Sequence, residues 1–486
     1  MNNKKKNINT ISIIKMNDIK NIHFIGIGGC SMGGIAEILL KSGYNISGSD
    51  IVSNNITQQL SKLGAKIFFK HTEKNINRSD VIVISSAISC NNPEIIKAKK
   101  LNIPVISRAE MIAEIIRYKY NIAISGTHGK TSTTAIIFSI FEDSNLSPTL
   151  INGGYLKSIN SNIKIGKNPF YCIVEADESD ASFLHLKPIT IILTNIEKDH
   201  IETYNGSFHN LKLAFIKFIH NLPFYGTAIM CIDNHAVQTI LPYIKRNIIT
   251  YGFSSNADVR IDRYVQKKFT SRFIVIRVNK PTLNVTLNLP GRHNALNATA
   301  AICVATQENI DDKNIIQSLK NFQGVQRRFE LSKTFTINSK SHRKKEIMLI
   351  NDYGHHPTEI LESIHTARFG WPKKKLLMIF QPHRYTRTKN FLFSFSKTLS
   401  NVDELFILEV YAANEAIIPG ADSTSLYKTI KKNKKNFVTL ILDLNKLFLN
   451  IMSKLSDSNL ILVQGAGNVD NIVKTFFIKK LKQYKN

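Results

Sequence analysis

The chain has 486 residues, 43% hydrophobic and 21% charged, which suits several globular cores and excludes a disordered or fibrous chain. No apolar run is long enough for a membrane-spanning helix, so no membrane insertion is expected. The net charge of +28 would suit a nucleic-acid binder, but the lysines are spread along the chain among abundant Asn and Ile, the bias of an AT-rich genome. We therefore expect no nucleic-acid partner, only a basic surface that helps attract an anionic substrate.

Residues 1–16 are rich in Lys and Asn and lack the apolar core of a signal peptide, so they read as a mobile tail. Cys30, Cys90, Cys172, Cys231 and Cys303 are far apart and odd in number, as befits a reducing, cytoplasmic setting.

The first α/β unit opens with a buried strand at 22–26 and runs into Gly26-Ile-Gly28-Gly29-Cys30-Ser31-Met32-Gly33-Gly34, with Asp50 about 20 residues further on. This imitates a dinucleotide fingerprint, which makes a nicotinamide-dependent oxidoreductase a competing reading. The fingerprint needs glycine where Ser31 stands, so the loop is a poor cofactor signature but a good pyrophosphate cradle. Further strands are expected at 81–85 and 103–106.

The second unit opens at 121–125 and leads into Ser125-Gly126-Thr127-His128-Gly129-Lys130-Thr131-Ser132, followed by a helical run at 135–142. Backbone N–H groups of such a loop and of the helix start surround phosphate oxygens. Lys130 neutralises the terminal phosphates and the Thr131 hydroxyl can ligate Mg2+. Ile124 occupies the position of the first glycine of a strict Walker A loop, so this is a shortened variant that binds ATP. Strands follow at 171–175, 189–194 and 228–232. Between 273 and 289 two strand signals crowd together, which predicts antiparallel pairing in an otherwise parallel sheet.

The third unit carries strands at 347–351, 376–381, 405–410 and 460–463. The expected fold class is α/β with three domains: a Rossmann-like domain at 1–120, a P-loop ATPase-like domain with a mixed sheet at 121–328, and a Rossmann-like domain at 329–486.

Several motifs narrow the reading. Gly-Thr-His-Gly-Lys-Thr at 126–131 resembles the ATP loop of the Mur ligases, and Glu175-Ala-Asp-Glu-Ser-Asp resembles a segment of their L-alanine-adding branch. Thr194-Asn-Ile-Glu-Lys-Asp-His200, Gly291-Arg-His-Asn-Ala-Leu-Asn297, Gln326-Arg-Arg-Phe-Glu330, Asp352-Tyr-Gly-His-His-Pro357 and Gln381-Pro-His-Arg384 continue the family's order. The resemblance implies ATP-dependent joining of L-alanine to the carboxylate of UDP-N-acetylmuramic acid through an acyl phosphate, by a monomer or weak dimer. A relative that attaches a recovered peptide to the same sugar nucleotide shares the phosphate loop and is the alternative.

The same resemblance assigns roles. Thr131, Glu175 and His200 hold magnesium. Gly126, Thr127, His128, Gly129, Lys130, Thr131 and Ser132 bind ATP, and Asn294 and Asn297 lie at the adenine, with helix capping as an equal reading for both. Lys130, Glu175, His200, Arg327, Asp352, His355 and Arg384 form the catalytic set. Arg384 suits a carboxylate because guanidinium presents paired donors, whereas His355 or His356 could instead be an interior hydrogen-bonding histidine. Gly28, Gly29, Ser31, Ser49, Asp50, His71 and Ser86 are expected at the UDP end. The departures from the family pattern are Cys30, Ser31, Ser132, Asn351 and the looser segment Tyr411–Gly420, none of them essential to the chemistry.

Overall fold

The computed structural model describes residues 18–85, 88–168, 170–338, 344–433 and 437–481. Three sheets follow one another along the chain. The first contains β1 (Asn21–Ile25), β2 (Asn45–Ser49), β3 (Lys66–Phe68), β4 (Val81–Ile84) and β5 (Val105–Ser107). All five are parallel in the order β3-β2-β1-β4-β5. The order reverses beside β1, and the glycine loop leaves at that switch point, where α/β sheets open a ligand crevice.

The second sheet has ten strands: β6 (Tyr120–Ser125), β7 (Thr149–Leu156), β8 (Ser161–Lys164), β9 (Tyr171–Glu175), β10 (Thr190–Leu193), β11 (Thr227–Cys231), β12 (Asn247–Gly252), β13 (Val259–Lys267), β14 (Thr270–Arg277) and β15 (Leu283–Leu287). The order is β15-β14-β13-β12-β11-β10-β6-β9-β7-β8. The inner strands are parallel, while β13-β14-β15 form an antiparallel extension, as the crowded signals near 273–289 predict. Ile122, Ala123 and Ile124 are fully buried because helices cover both faces of β6.

The third sheet contains β16 (Glu330–Asn338), β17 (Lys344–Asp352), β18 (Lys375–Phe380), β19 (Glu404–Ile407), β20 (Val438–Leu440) and β21 (Ser458–Gln464), in the order β16-β17-β21-β18-β19-β20. Only β16 is antiparallel to its neighbour. The architecture is thus the expected α/β arrangement of three sheets. No helix among the described residues is long and apolar enough to cross a membrane.

The C-terminal strand ends of the second and third sheets face each other. Loops after β6, β9 and β10 meet loops after β17, β18 and β21 across one cleft. Domain contacts hold it shut: Thr358 Oγ1 donates to Glu197 at 2.7 Å, and Asn390 Nδ2 donates to Glu202 at 3.1 Å.

Candidate active site

The phosphate loop turns from β6 into the helix Lys130–Asp143. Gly126 has φ +129° and Gly129 has φ +84°, in the region that side chains disfavour. Space forbids a side chain as well: a Cβ on Gly126 would lie 2.2 Å from Thr194 Oγ1, and one on Gly129 would lie 2.7 Å from Asn297 Oδ1. The loop is tethered to the end of β10, since Thr194 Oγ1 donates to the His128 carbonyl at 2.6 Å and the His128 N–H donates to Asn195 Oδ1 at 2.8 Å.

Lys130 Nζ donates to Glu178 Oε2 at 2.6 Å and lies 3.7 Å from Asp177. Burial alone would lower its pKa, but Glu178, Asp177 and Glu175 outweigh that and hold the ammonium charged. Glu178 is pushed up to about 7, by burial first and by Asp177, against the pull of Lys130. Lys130 is charged, because three carboxylates surround it, and Glu178 sits close to its protonation point.

Glu175 ends β9, where it takes the Thr131 hydroxyl at 3.2 Å on one oxygen and the Gly153 N–H at 2.7 Å on the other. His200 follows β10 with φ 52°, which turns the chain into the cleft. Its Nε2 lies 3.4 Å from Arg387 and 3.6 Å from Asp199, and burial lowers its pKa. Thr131, Glu175 and His200 line one cavity of about 560 Å³ with Lys130, His355 and Arg384.

The third domain closes that cavity. His355 is held to about 3 by burial first and by the nearby Arg387 cation, against the pull of Glu359, so its ring is neutral at neutral pH. His383 is held to about 4 by burial, Arg387 and Arg384, and stacks on Tyr411 with centroids 5.5 Å apart. Arg384 starts the helix Tyr385–Asn390 from a left-handed φ of 67°. Arg327 lines the same cavity, and its guanidinium donates to the carbonyls of Gly465 at 2.6 Å and Gly467 at 3.1 Å. Asp352 accepts the N–H groups of Phe329 at 2.9 Å and Gly354 at 2.6 Å, and burial raises its pKa. Both residues fix the geometry of the domain junction.

A second cavity of about 370 Å³ lies on the other side of the phosphate loop. His128, Gly129, Ser132 and Asn297 line it with Phe253 and Leu296, a suitable surface for a flat base. Both asparagines are buried; Asn297 lines the cavity, whereas Asn294 donates to the Pro290 carbonyl at 2.7 Å. Neither caps the helix Arg292–Gln307, whose cap position is Gly291.

In the first domain the Gly28 N–H donates to Asp50 at 2.8 Å, and Gly29 precedes the helix Cys30–Lys41. Ser31 and Arg108 line a gap of about 70 Å³ with Glu175 and Asp177, so the glycine loop opens toward the phosphate loop. Ser49 is placed differently: it is fully buried, donates to Glu94 at 2.6 Å and contacts His71 Nδ1 at 2.9 Å. Its hydroxyl is spent inside the domain. Ser86 lies outside the described residues.

The cleft also contains residues that the motif reading passed over. Glu178 sits in the segment that supplied Glu175. Arg387, one turn beyond Arg384, bonds both oxygens of Asp199. Arg328 reaches Thr131 Oγ1 at 3.4 Å and lies 3.7 Å from Glu359. The spacing Arg384-x-x-Arg387 was a visible signal for one of them, and Arg328 stands beside Arg327 in a segment already singled out.

The chain matches the profile for the Mur ligase family, catalytic domain, over residues 21–120, the Mur ligase middle domain over 124–305, and the Mur ligase, glutamate ligase domain over 327–467. A UDP-N-acetylmuramate--L-alanine ligase of Buchnera aphidicola subsp. Acyrthosiphon pisum (strain Tuc7) is 54% identical over 464 residues, 96% of each chain. The crystal structure of a UDP-N-acetylmuramate-alanine ligase from Thermotoga maritima has TM-score 0.78 and 27% identity, covering 96% of this chain and all of that one. A murein peptide ligase from Psychrobacter arcticus shares the fold, with TM-score 0.67 and 20% identity over 96% of this chain and 99% of its own.

Proposed function

The chain belongs to the Mur ligase family, and from that premise we propose that it joins L-alanine to the carboxylate of UDP-N-acetylmuramic acid at the expense of ATP. The observation that carries this reading is convergence. The phosphate loop, the Glu175 segment, His200 and the Arg384 segment come from two domains and line one cavity. We take the domains as 1–120 for the UDP end, 121–328 for ATP and 329–486 for the amino acid. The cytoplasm supplies both nucleotides, and Cys172, Cys231 and Cys303 are buried unpaired thiols.

A carboxylate cannot expel oxide when an amine attacks it, so it must first be activated. Attack of the muramyl carboxylate on the γ-phosphorus forms a C–O–P link, breaks the bond to the β-phosphate oxygen and releases ADP. The alanine amine then adds to the acyl carbon, phosphate leaves with the former carboxylate oxygen, and the amine loses a proton. Lys130 faces the phosphates, and on ATP binding it exchanges part of its contact with Glu178 for phosphate oxygens. Arg384 offers two parallel donors to the alanine carboxylate. His355 and His383, both neutral at neutral pH, have ring nitrogens able to take the proton.

Magnesium fits the donors present. The Thr131 hydroxyl and the Glu175 carboxylate, 3.2 Å apart, are hard oxygen donors, and His200 lines the same cavity. These three would hold the ion, whose charge would offset that of the converging anionic groups.

The test is the mass of the product. UDP-N-acetylmuramic acid incubated with ATP, Mg2+ and L-alanine should become heavier by one alanine residue. A product formed only when a peptide replaces alanine would assign the chain to the peptide-attaching relatives instead.

A further inference from the structure

One cluster beside the ATP loop, which contributes its His128, supplies neither a proton acceptor nor a magnesium donor to the chemistry above. His128 of the phosphate loop, Glu197 from the loop after β10 and His356 at the cap of the helix Pro357–Gly370 converge where the second and third domains meet. One ligand-capable atom from each lies within 4.8 Å of the other two. His128 Nε2 is 3.4 Å from Glu197 Oε2, and His356 Nδ1 is 3.6 Å from the same oxygen. Nitrogen and oxygen donors about 2.0–2.1 Å from a tetrahedral ion stand roughly 3.4 Å apart, so both histidines already stand near ligand spacing from Glu197.

The surroundings point the same way. The side chains of His128, Glu197 and His356 are 13%, 24% and 6% exposed, and His128 Nε2 has no hydrogen-bond partner. His356 Nδ1 takes only a long contact of 3.4 Å from the Thr358 N–H. The far nitrogen of His128, Nδ1, lies 3.3 Å from Glu359, which gives the carboxylate–histidine arrangement that orients imidazole ligands. Thr358 Oγ1 donates to Glu197 at 2.7 Å and fixes that carboxylate too. Two carboxylates, Glu197 and Glu359, require a cation between them. Arg328 stands 3.7 Å from Glu359, and His128 carries the remaining positive charge.

We propose that His128, Glu197 and His356 form a site for a zinc-class divalent ion, separate from the magnesium donors Thr131, Glu175 and His200, which clamps the cleft shut. Binding forms metal bonds to two imidazole nitrogens, one carboxylate oxygen and, as the fourth ligand, a solvent water, and the proton on His128 goes to solvent. Imidazole donors select zinc, cobalt and nickel over magnesium. The ligands come from two domains, so the ion binds the closed form and opposes the opening that nucleotide release requires. The adenine-side cavity, lined by His128, Glu197 and Thr358, gives the ion a path in.

Cobalt(II) serves as the probe, added to the full chain without substrates, so that the outcome is independent of the ligase reading. We expect one cobalt per chain with the intense visible bands of a four-coordinate ion, displaced by zinc and insensitive to excess magnesium. Glu197→Gln, which keeps an acceptor for Thr358, and His356→Asn, which keeps a helix cap, should each abolish those bands. Thr358→Ala should weaken binding about tenfold or more. Zinc should also slow turnover at saturating magnesium in the unaltered protein, with recovery on chelation. Absence of bound cobalt, a weak six-coordinate spectrum, or bands that persist in folded Glu197→Gln and His356→Asn would overturn the site.

Discussion

Arg387 of the third domain places one guanidinium nitrogen 3.1 Å from each carboxylate oxygen of Asp199 in the second domain, with the two side chains only 6% and 9% exposed. A charged pair so dry is strong only while both partners remain. It therefore behaves as a closure contact, made when the domains meet and broken when they part.

Arg387→Ala should leave Asp199 charged and unpaired in the closed form, at a cost of about 3–5 kcal/mol. The closed population, followed by small-angle scattering with nucleotide bound, should fall, and turnover should fall with it. An unchanged scattering profile would show that closure does not rest on this pair.

Lys130→Ala should abolish turnover and leave binding of the UDP-sugar by the first domain largely intact, because among the described residues Lys130 contacts the phosphate loop, Glu178 and Asp177 but nothing in that domain. Calorimetric titration with the sugar nucleotide, beside a turnover assay, checks both halves. Full activity in this variant would refute the assigned phosphate loop.

Gly129→Ala should impair ATP binding without touching the UDP end. At φ +84° the new Cβ incurs about 1–2 kcal/mol of backbone strain. It also meets Asn297 Oδ1 at 2.7 Å, so the loop must shift. The KM for ATP should rise while the KM for the sugar nucleotide stays put, which initial-rate kinetics resolve.

His128 carries a pH prediction. Burial alone would lower its pKa, but Glu359 and Glu197 outweigh that and raise it to about 10. A raised histidine contributes stability that is fully present below its unfolded value near 6.5 and is lost as pH rises through the folded value. With chelator present, the difference in Tm between the unaltered protein and His128→Asn should therefore shrink between pH 7 and pH 10. On the acid side Glu359 lies well below its usual value, so its share is lost only as pH falls beneath about 4.5. A Tm difference constant from pH 7 to pH 10 would contradict the charged His128.

What the chain order made legible was local. A phosphate loop is written in one stretch, since strand, glycines, Lys130 and helix all follow within a dozen residues. Parallel strands buried on both faces are continuous apolar runs, so β6, β9 and β10 stood out. The edge strand β16 and the twisted β13 have mixed faces and were not visible as apolar runs. Pairings between domains were not legible either. Nothing near Asp199 announces Arg387, 188 residues later, and nothing near His128 announces Glu359. Ser49 shows the converse, since its place beside a nucleotide loop suggested a ligand contact, while the buried Glu94 claims its hydroxyl.

The ligase activity is read in phosphate release from ATP, measured with Mg2+ and UDP-N-acetylmuramic acid, with and without L-alanine. Release should be sustained only when both substrates are present, in step with consumption of alanine. Folded protein that releases no phosphate under any of these combinations, or that releases it equally without the sugar nucleotide, would contradict that activity.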